Sequence, residues 1–329
     1  MEWHRRHVLG LSDFHPEEME FVVDTARSME EVLTRDIKKV PALRGKTVVN
    51  LFFEASTRTR TSFEMAGKRL SADVVNFSSG TSSVTKGETL LDTARNIEAM
   101  KPNILVVRHS ASGAALFLSR HVSCSIINAG DGANEHPSQG LLDLYTILKV
   151  KGKIAGLKVA IVGDILHSRV VRSDLHSLGR MGAKLWLCGP APLVPREMER
   201  TGAVVTSDIR EAVRGADVII MLRIQLERQK TAYFPSLREY SRRYGLNRDV
   251  FSLAKDDAVI MHPGPINRGV ELSDELADCE QSLVLRQVES GVAVDNPLGH
   301  DFADAAGAGY AVGTKAASRP EIGHLRRRA

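Results

Sequence analysis

The chain has 329 residues, enough for two domains of ordinary size, and its 43% hydrophobic and 26% charged content exclude a disordered or fibrous protein. The net charge of +4 is small for this length, and three arginines stand together at 326–328, so nucleic acid is not an expected partner. Three widely spaced cysteines exclude a disulfide framework and a cysteine-based zinc cluster, and they fit a reducing compartment.

No apolar run reaches the length of a membrane span, and the first residues lack the apolar core of a signal peptide. We therefore expect a cytoplasmic protein that contacts no membrane. No run of His, Asp and Glu has metal-ligand spacing, so neither a metal nor another cofactor is expected. The glycine-rich segment 307–313 has its third glycine displaced from dinucleotide-loop spacing and follows no strand, so we interpret it as flexible.

Helical periodicity over residues 8–36 predicts the first helix, with Ser12 as a candidate N-cap. An apolar run from Val48 to Phe53 predicts the first strand. Further strands are predicted at 73–77, 104–107 and 125–128, and further helices at 89–100, 114–121 and 136–150.

Residues 50–64 join the end of that strand to the start of a helix, with Arg58 and Arg60 set among hydroxyl side chains. The hydroxyl residues are Ser56, Thr57, Thr59 and Thr61. The first N–H groups of a helix have no internal partner and favour an anion, and arginine adds a planar, charged donor. The pattern favours phosphate binding. The alternative is an ordinary N-cap with solvated arginines, although a cap needs one hydroxyl and no arginine.

A lysine- and glycine-rich segment at 151–156 is the predicted hinge between two halves. Beyond it, strands are predicted at 158–163, 184–188, 204–207, 218–222 and 259–263, and helices at 170–181, 196–201, 209–214 and 282–294. Residues 226–254 are charged and are expected to be partly helical and mobile. This alternation predicts an α/β protein with two Rossmann-like domains. Each would be a parallel sheet flanked by helices, with the active site in the cleft between them.

Polar residues recur where the predicted strands end. They are Ser56–Thr59, Arg108, His136, Asp164–Arg169, Arg223 and His262–Pro265. Each alone is compatible with an ordinary surface position, but their recurrence indicates one cleft, rich in arginine and hydroxyl groups, for one or two anionic substrates. His136 precedes a first-turn proline, so a neutral imidazole is favoured there and can donate to a developing oxyanion; the alternative is a helix-starting histidine with no function.

Ser56–Glu64 and His136–Gln139 resemble motifs of the aspartate/ornithine carbamoyltransferase superfamily. Lys86–Thr89, Arg223–Arg228 and His262–Pro265 resemble the aspartate carbamoyltransferases within it, and the His-Cys-Leu-Pro and Ser-Met-Gly motifs of the ornithine enzymes are absent. The resemblance covers about residues 5–294. It implies transfer of the carbamoyl group of carbamoyl phosphate to L-aspartate without a cofactor, giving N-carbamoyl-L-aspartate and phosphate in pyrimidine (UMP) biosynthesis.

The resemblance also implies a role for each motif residue. Carbamoyl phosphate would be bound by Ser56, Thr57, Arg58, Thr59, Arg108, His136, Gln139, Gly264 and Pro265, and the catalytic residues would be Arg58, Thr59, Arg108 and His136. Aspartate would be bound by Lys86, Arg169, Arg223 and Gln225. Ser82 and Lys86 would come from a neighbouring subunit, which implies a homotrimer with shared active sites.

Glu54 would pair with Arg169 and Arg228 and hold the two domains closed, the alternative being an ordinary surface carboxylate. The implied domains are 1–150 for carbamoyl phosphate and 151–281 for aspartate, with the helix at 282–294 packing back on the first. Regulatory chains or a dihydroorotase are partners that the resemblance leaves open. A carbamoyltransferase for another amine, or a non-catalytic scaffold, are the alternative functions.

The chain departs from the family pattern after Val294. Pro297 removes a helix donor and disfavours helical geometry at the residue before it, so residues 295–329 are expected to be a disordered tail. Loss of the family's apolar helix here would weaken the coupling between the domains. Asp174 stands in the helix after Arg169 where the family often has an amide, and no consequence is expected from it.

Overall fold

The computed structural model describes residues 3–78, 87–224 and 234–311, which form two parallel sheets. The first sheet has the order β2-β1-β3-β4 and consists of β1 (Thr47–Phe52), β2 (Asp73–Ser78), β3 (Ile104–His109) and β4 (Ser125–Asp131). The second has the order β7-β6-β5-β8-β9 and consists of β5 (Lys158–Val162), β6 (Lys184–Cys188), β7 (Val204–Thr206), β8 (Val218–Met221) and β9 (Val259–Met261).

Helices flank both sheets. They are α1 (Pro16–Thr34), α2 (Thr57–Arg69), α3 (Leu90–Glu98), α4 (Ala114–Ser119), α5 (Pro137–Lys151), α6 (Arg169–Arg180), α7 (Ile209–Val213), α8 (Leu237–Tyr244), α9 (Arg248–Phe251), α10 (Asp274–Ala277) and α11 (Val284–Ala311). Short 3-10 helices lie at Pro41–Leu43, Ala191–Leu193 and Arg196–Thr201. Within the described ranges, no helix combines the length and apolarity that crossing a bilayer requires.

The predicted α/β class is confirmed, and every predicted strand is present with small shifts at its ends. The prediction for the first helix was wrong over residues 8–15. Val8 instead forms a parallel bridge with Ile127 at the edge of the first sheet. The helix begins after His15, where Pro16 occupies the first turn and the Glu18 carboxylate accepts the His15 N–H at 2.8 Å.

The apolar core is continuous between the two halves of the chain. Buried side chains of the first sheet, such as Val106 and Ile127, and of α5, such as Leu144, share one cluster with Val159 and Val171 of the second half. Helix α5 lies against both α6 and α11. The two sheets are therefore held together by the packing of α5 against α6 and α11, and not only by the connecting chain.

Helix α11 corrects the prediction of a disordered tail from residue 295. The helix continues through Pro297 to Ala311 and lies against α1, α2 and α5. An interior proline costs about 3 kcal/mol. Here Ala293, Val294 and Leu298 are fully buried, and the Asn296 side-chain amide donates to the Val292 carbonyl at 2.6 Å. Burial of this face against the first half outweighs the local cost. Residues 312–329 lie outside the described part of the chain.

Asp295 is a buried carboxyl group on this helix. Its Oδ2 accepts a hydrogen bond from the Ser62 hydroxyl of α2 at 2.6 Å. Its Oδ1 has no partner among the described residues. Burial raises the pKa of Asp295 to about 7, against the hydrogen bonds from Ser62 and Ser138, which lower it. Ionisation of this group therefore opposes the packing of α11 on α2.

We expect Asp295→Asn to stabilise the protein strongly at pH 8 and less at pH 5. The folded pKa of about 7 lies above the unfolded value of 3.8, so the parent loses stability as pH rises between these values. Asparagine does not titrate, and its carbonyl can still accept from Ser62. The expected gain in the free energy of unfolding by urea titration is about 4 kcal/mol at pH 8 and about 2 kcal/mol at pH 5. Asp24→Asn, at an exposed position of α1, is the control. Equal effects at the two pH values would contradict this explanation.

Candidate active site

The carboxyl ends of strands from both sheets meet at one cleft of about 840 Å³. It is lined by Glu54, Ala55, Ser56, Thr57, Arg58, Thr59, Arg108, Ser110, His136, Gln139, Ser168, Arg169, Val170, Leu222, Arg223, Pro263, Gly264 and Pro265. Parallel strands place their carboxyl ends on one edge of a sheet, and the two sheets present these edges to each other. The structure therefore brings together twelve of the residues predicted from sequence, with Glu54 as a carboxylate among four arginines.

The first turn of α2 is open towards this cleft. Ser56 is the N-cap residue in extended geometry, yet its side chain makes no capping hydrogen bond, and no acidic residue lies in the first turn. Thr57, Arg58 and Thr59 follow directly. The hydroxyl of an ordinary N-cap residue accepts a hydrogen bond from a backbone N–H of the first turn. Since Ser56 makes no such bond, this arrangement favours the interpretation as an anion site.

Arg58 approaches the second half of the chain closely. Burial lowers the pKa of Arg58, and the charge of Arg223 lowers it further. Gly264 has φ +64°, and a side chain at that position would collide with the Arg58 guanidinium. The left-handed φ therefore favours glycine at residue 264, and the contact shows how closely Arg58 approaches this backbone. Two arginines from different halves of the chain thus face the same space, which an anion would stabilise.

His136, Arg108 and Thr59 form a second group at the floor of the cleft. Arg108 Nη1 lies 3.5 Å from Thr59 Oγ1, 3.5 Å from His136 Nε2 and 3.1 Å from the Ala129 carbonyl oxygen. Burial holds the pKa of His136 well below its ordinary value, and the charges of Arg108 and Arg169 reinforce this shift. The imidazole is therefore neutral at neutral pH, as its place at the start of α5 predicted.

Both ring nitrogens of His136 have polar neighbours. Ser138 Oγ lies 3.4 Å from His136 Nδ1. Nε2 lies 3.5 Å from Arg108 Nη1 and faces the cleft. The backbone N–H of His136 donates to Ser173 Oγ of α6 at 2.9 Å, which ties this residue to the second half.

Glu54 joins the two halves by charge. Its Oε2 lies 2.6 Å from Arg169 Nη2 and 3.5 Å from Arg108 Nε, and Arg169 is almost fully buried. The predicted contact with Arg169 is present, and the contact with Arg108 was not predicted. This geometry argues against the alternative of an ordinary surface carboxylate. Arg169 Nη1 is buried and has no hydrogen-bond partner among the described residues.

Four predicted residues, Ser82, Lys86, Gln225 and Arg228, lie outside the described residues. The described ranges contain no group of three or more His, Cys, Asp and Glu side chains that could hold a metal ion.

Sequence reasoning missed the residues that support Gln139. Gln139 Nε2 donates to both carboxylate oxygens of Asp143, at 3.1 and 3.2 Å. Gln287 of α11 donates to the same carboxylate at 2.6 Å. A signal for Asp143 was present, because it follows Gln139 by one helical turn and interrupts the apolar run of α5. No sequence signal pointed to Gln287, because its partner Asp143 is 144 residues away in sequence.

Two family models cover nearly all of this architecture. The carbamoyl-P binding domain of the aspartate/ornithine carbamoyltransferases matches residues 6–149, and their Asp/Orn binding domain matches residues 155–298. A relative named aspartate carbamoyltransferase catalytic subunit, from Geotalea daltonii, is 61% identical over 295 residues, which cover 89% of this chain and 95% of that protein. One of the same name from Anaeromyxobacter sp. (strain K) is 58% identical over 303 residues, or 92% and 97%.

Solved structures give the same result. Aspartate transcarbamoylase from Trypanosoma cruzi, in complex with carbamoyl aspartate and phosphate, matches with a TM-score of 0.81 at 29% identity, over 90% of this chain and 95% of that one. Ornithine carbamoyltransferase from Thermus thermophilus matches with a TM-score of 0.80 at 26% identity, over 91% and 99%. With both domain models matched in order and relatives near 60% identity along most of its length, the chain belongs to the aspartate/ornithine carbamoyltransferase family.

Proposed function

We propose that this chain transfers the carbamoyl group of carbamoyl phosphate to the amino group of L-aspartate, giving N-carbamoyl-L-aspartate and phosphate. One observation carries the proposal: Arg58 and Arg108 from the first half and Arg169 and Arg223 from the second line a single cleft. Carbamoyl phosphate and aspartate are both anions that need such partners. The relatives near 60% identity, all named for the aspartate reaction, support this choice of amine. The product belongs to pyrimidine biosynthesis, which we place in the cytoplasm.

The phosphate group would be bound by the first turn of α2. Backbone N–H groups and the hydroxyls of Ser56, Thr57 and Thr59 supply neutral donors, and Arg58 supplies charge. Arg108 would contact both the phosphate and the carbamoyl oxygen. The pKa of Arg58 is lowered by burial and by Arg223, so a bound phosphate would relieve the repulsion between these cations.

The carbamoyl group would lie over the floor of the cleft. Its carbonyl oxygen would face Thr59, Arg108 and neutral His136, and its NH₂ group would face Gln139 and the backbone at Gly264 and Pro265. Gln139 has its amide nitrogen turned to Asp143, which leaves its oxygen to accept from the substrate NH₂. Donors therefore surround the carbamoyl oxygen and an acceptor faces its nitrogen.

Aspartate would be bound by arginines of the second half. Arg169 has one buried donor, Nη1, without a described partner, and Arg223 faces the same cleft. We propose that they bind the two carboxylates, with Gln225 and Lys86 completing the site. Glu54, held by Arg169 and Arg108, would fix the relative position of the domains, with Arg228 as a further partner.

The reaction requires a neutral aspartate amine to attack the carbamoyl carbon. Negative charge then develops on the carbonyl oxygen, where Thr59, Arg108 and neutral His136 would stabilise it. The intermediate collapses as the C–O bond to phosphate breaks. His136 is a weak base, because its pKa is lowered well below the ordinary value, and Glu54 is bound by two arginines. The departing phosphate is therefore the acceptor we propose for the amine proton.

The identity of the amine can be tested directly with labelled carbamoyl phosphate. We expect transfer to aspartate to exceed transfer to ornithine by at least about 1,000-fold in kcat/KM, because arginines left without a carboxylate partner penalise the wrong amine. We also expect N-(phosphonacetyl)-L-aspartic acid to bind and to inhibit competitively against carbamoyl phosphate. Preference for ornithine would favour a different carbamoyltransferase. A folded sample that neither turns over nor binds the analogue would favour the scaffold alternative.

His136→Ala should lower kcat by about 10²–10³-fold, the usual effect of removing one oxyanion donor. The free energy of unfolding should change far less than kcat. Because the pKa of His136 is lowered, the parent kcat should show no limb from this residue between about pH 6 and 9. His136→Gln should recover part of the loss by keeping a donor. His121→Ala, at an exposed position after α4, is the control. An unchanged kcat in His136→Ala would remove His136 from the mechanism.

We propose a domain boundary near residue 150, where Gly152 ends α5 in a left-handed conformation, and a homotrimer in which Ser82 and Lys86 reach the neighbouring site. Lys86→Gln and His136→Ala are each expected to be nearly inactive. Mixed and allowed to exchange subunits, they should regain activity, because some hybrid sites combine an intact His136 with an intact Lys86. Sedimentation would verify the trimer. No recovery despite proven exchange would show that sites are not shared.

A further inference from the structure

Two carboxyl groups meet inside the protein where α5 lies against α6. Asp143 on α5 and Asp174 on α6 are both fully buried and lie within hydrogen-bonding reach of each other. Neither carboxyl group forms an ion pair with a described cation. Asp174 has no hydrogen-bond donor on either oxygen among the described residues. Two charges at this distance in a buried site would repel strongly, so the pair requires a proton.

The donors around the pair locate this proton. The Asp143 carboxylate accepts hydrogen bonds from Gln139 Nε2 and from Gln287 Nε2, as an ionised group would. Asp174 receives none, and can be satisfied only by donating its own proton to Asp143. Burial raises the pKa of Asp174 well above its ordinary value, and the charge of Asp143 raises it further. Asp174 is therefore the protonated member of the pair.

Asp143 connects two segments of the cleft that are distant in sequence. On one side it orients the amide of Gln139. On the other it fixes Gln287, whose oxygen accepts the backbone N–H of His262 at 2.8 Å. His262 Nδ1 in turn accepts the N–H of Gly264 at 2.7 Å. One carboxylate thus sets the position of both groups that would face the carbamoyl NH₂.

We propose that Asp143 and Asp174 form a proton-sharing pair that positions Gln139 and the 262–265 loop, and that loss of the shared proton weakens carbamoyl phosphate binding. The inference rests on the proposed function, because it assigns Gln139 and this loop to the substrate NH₂ group. Asp174 and Asp143 act through Gln139 and do not touch substrate. They are positioning residues. The unusual carboxyl group at position 174 would supply the proton that the pair shares.

The direction of the pH dependence follows from the surroundings of the pair. The side chains that donate hydrogen bonds to the pair are Gln139 of α5 and Gln287 of α11. His262 reaches it only through Gln287 and also contacts Glu271. Asp295 of α11 is bound to Ser62 and Ser138 instead. Because no described cation neighbours the pair, deprotonation leaves two facing carboxylates, which separate and release Gln139. Binding should therefore weaken as pH rises.

The test is the KM for carbamoyl phosphate of the full-length protein at pH 7 and pH 9. Asp174→Asn keeps a donor to Asp143 but cannot lose a proton. We expect the parent KM to rise by about tenfold between these pH values, and that of Asp174→Asn by less than about twofold. Asp24→Asn, on exposed α1, should follow the parent. A merely structural role would change KM or stability equally at both pH values.

Infrared spectroscopy gives a readout that does not depend on turnover. An Asp295→Asn background removes the other buried carboxyl group described above. In this background we expect a protonated carboxyl band at pH 7 that disappears at high pH and is absent when Asp174→Asn is added. Absence of the band in the Asp295→Asn protein, or parallel KM profiles for the parent and Asp174→Asn, would overturn the proposal. The proposed function fails separately, if the parent does not transfer carbamoyl groups at pH 7.

Discussion

Four arginines converge on one cleft whose described lining includes a single carboxylate, Glu54. Such a concentration of like charge is unfavourable, and the rest of the structure compensates for it. Glu54 lies between Arg108 and Arg169, while burial and then the charge of Arg223 lower the pKa of Arg58. Two anionic substrates would supply the missing negative charge. The arrangement of these charges thus serves the binding of anions rather than the stability of the fold.

The parts of the site that could be predicted are those whose position follows from residues close to them in the sequence. The hydroxyl and arginine residues from Ser56 to Thr59 stand at a strand-to-helix junction, and this junction can be identified from periodicity alone. Parallel strand ends must then converge, which predicts Arg108 and His136 at the same edge. The family resemblance added the pairing of Glu54 with Arg169. Strand positions followed from apolar runs, and the fold class followed from their alternation with helices.

What could not be predicted depends on contacts between distant segments. Gln287 meets Asp143 across 144 residues, and nothing near either residue signals the contact. The prediction of a disordered tail in place of the end of helix α11 was wrong for a related reason. Local propensity at Asn296 and Pro297 favours termination, whereas the buried Leu298 and the surface offered by α1, α2 and α5 favour continuation. Burial against these helices keeps α11 helical past Pro297, and local sequence propensity does not include this contribution. The same packing brings Asp295 into a buried site beside Ser62.

The buried carboxyl groups and the chemistry impose opposite demands on pH. Burial raises the pKa values of Asp174 and Asp295, so deprotonation at higher pH opposes the contacts of α5 with α6 and of α11 with α2. The attacking aspartate amine must instead be deprotonated, which higher pH favours. Neutral His136 does not oppose this, since its lowered pKa keeps it uncharged over the whole range. We therefore expect the contacts of the helices behind the cleft to limit activity at high pH, and protonation of the substrate amine to limit it at low pH.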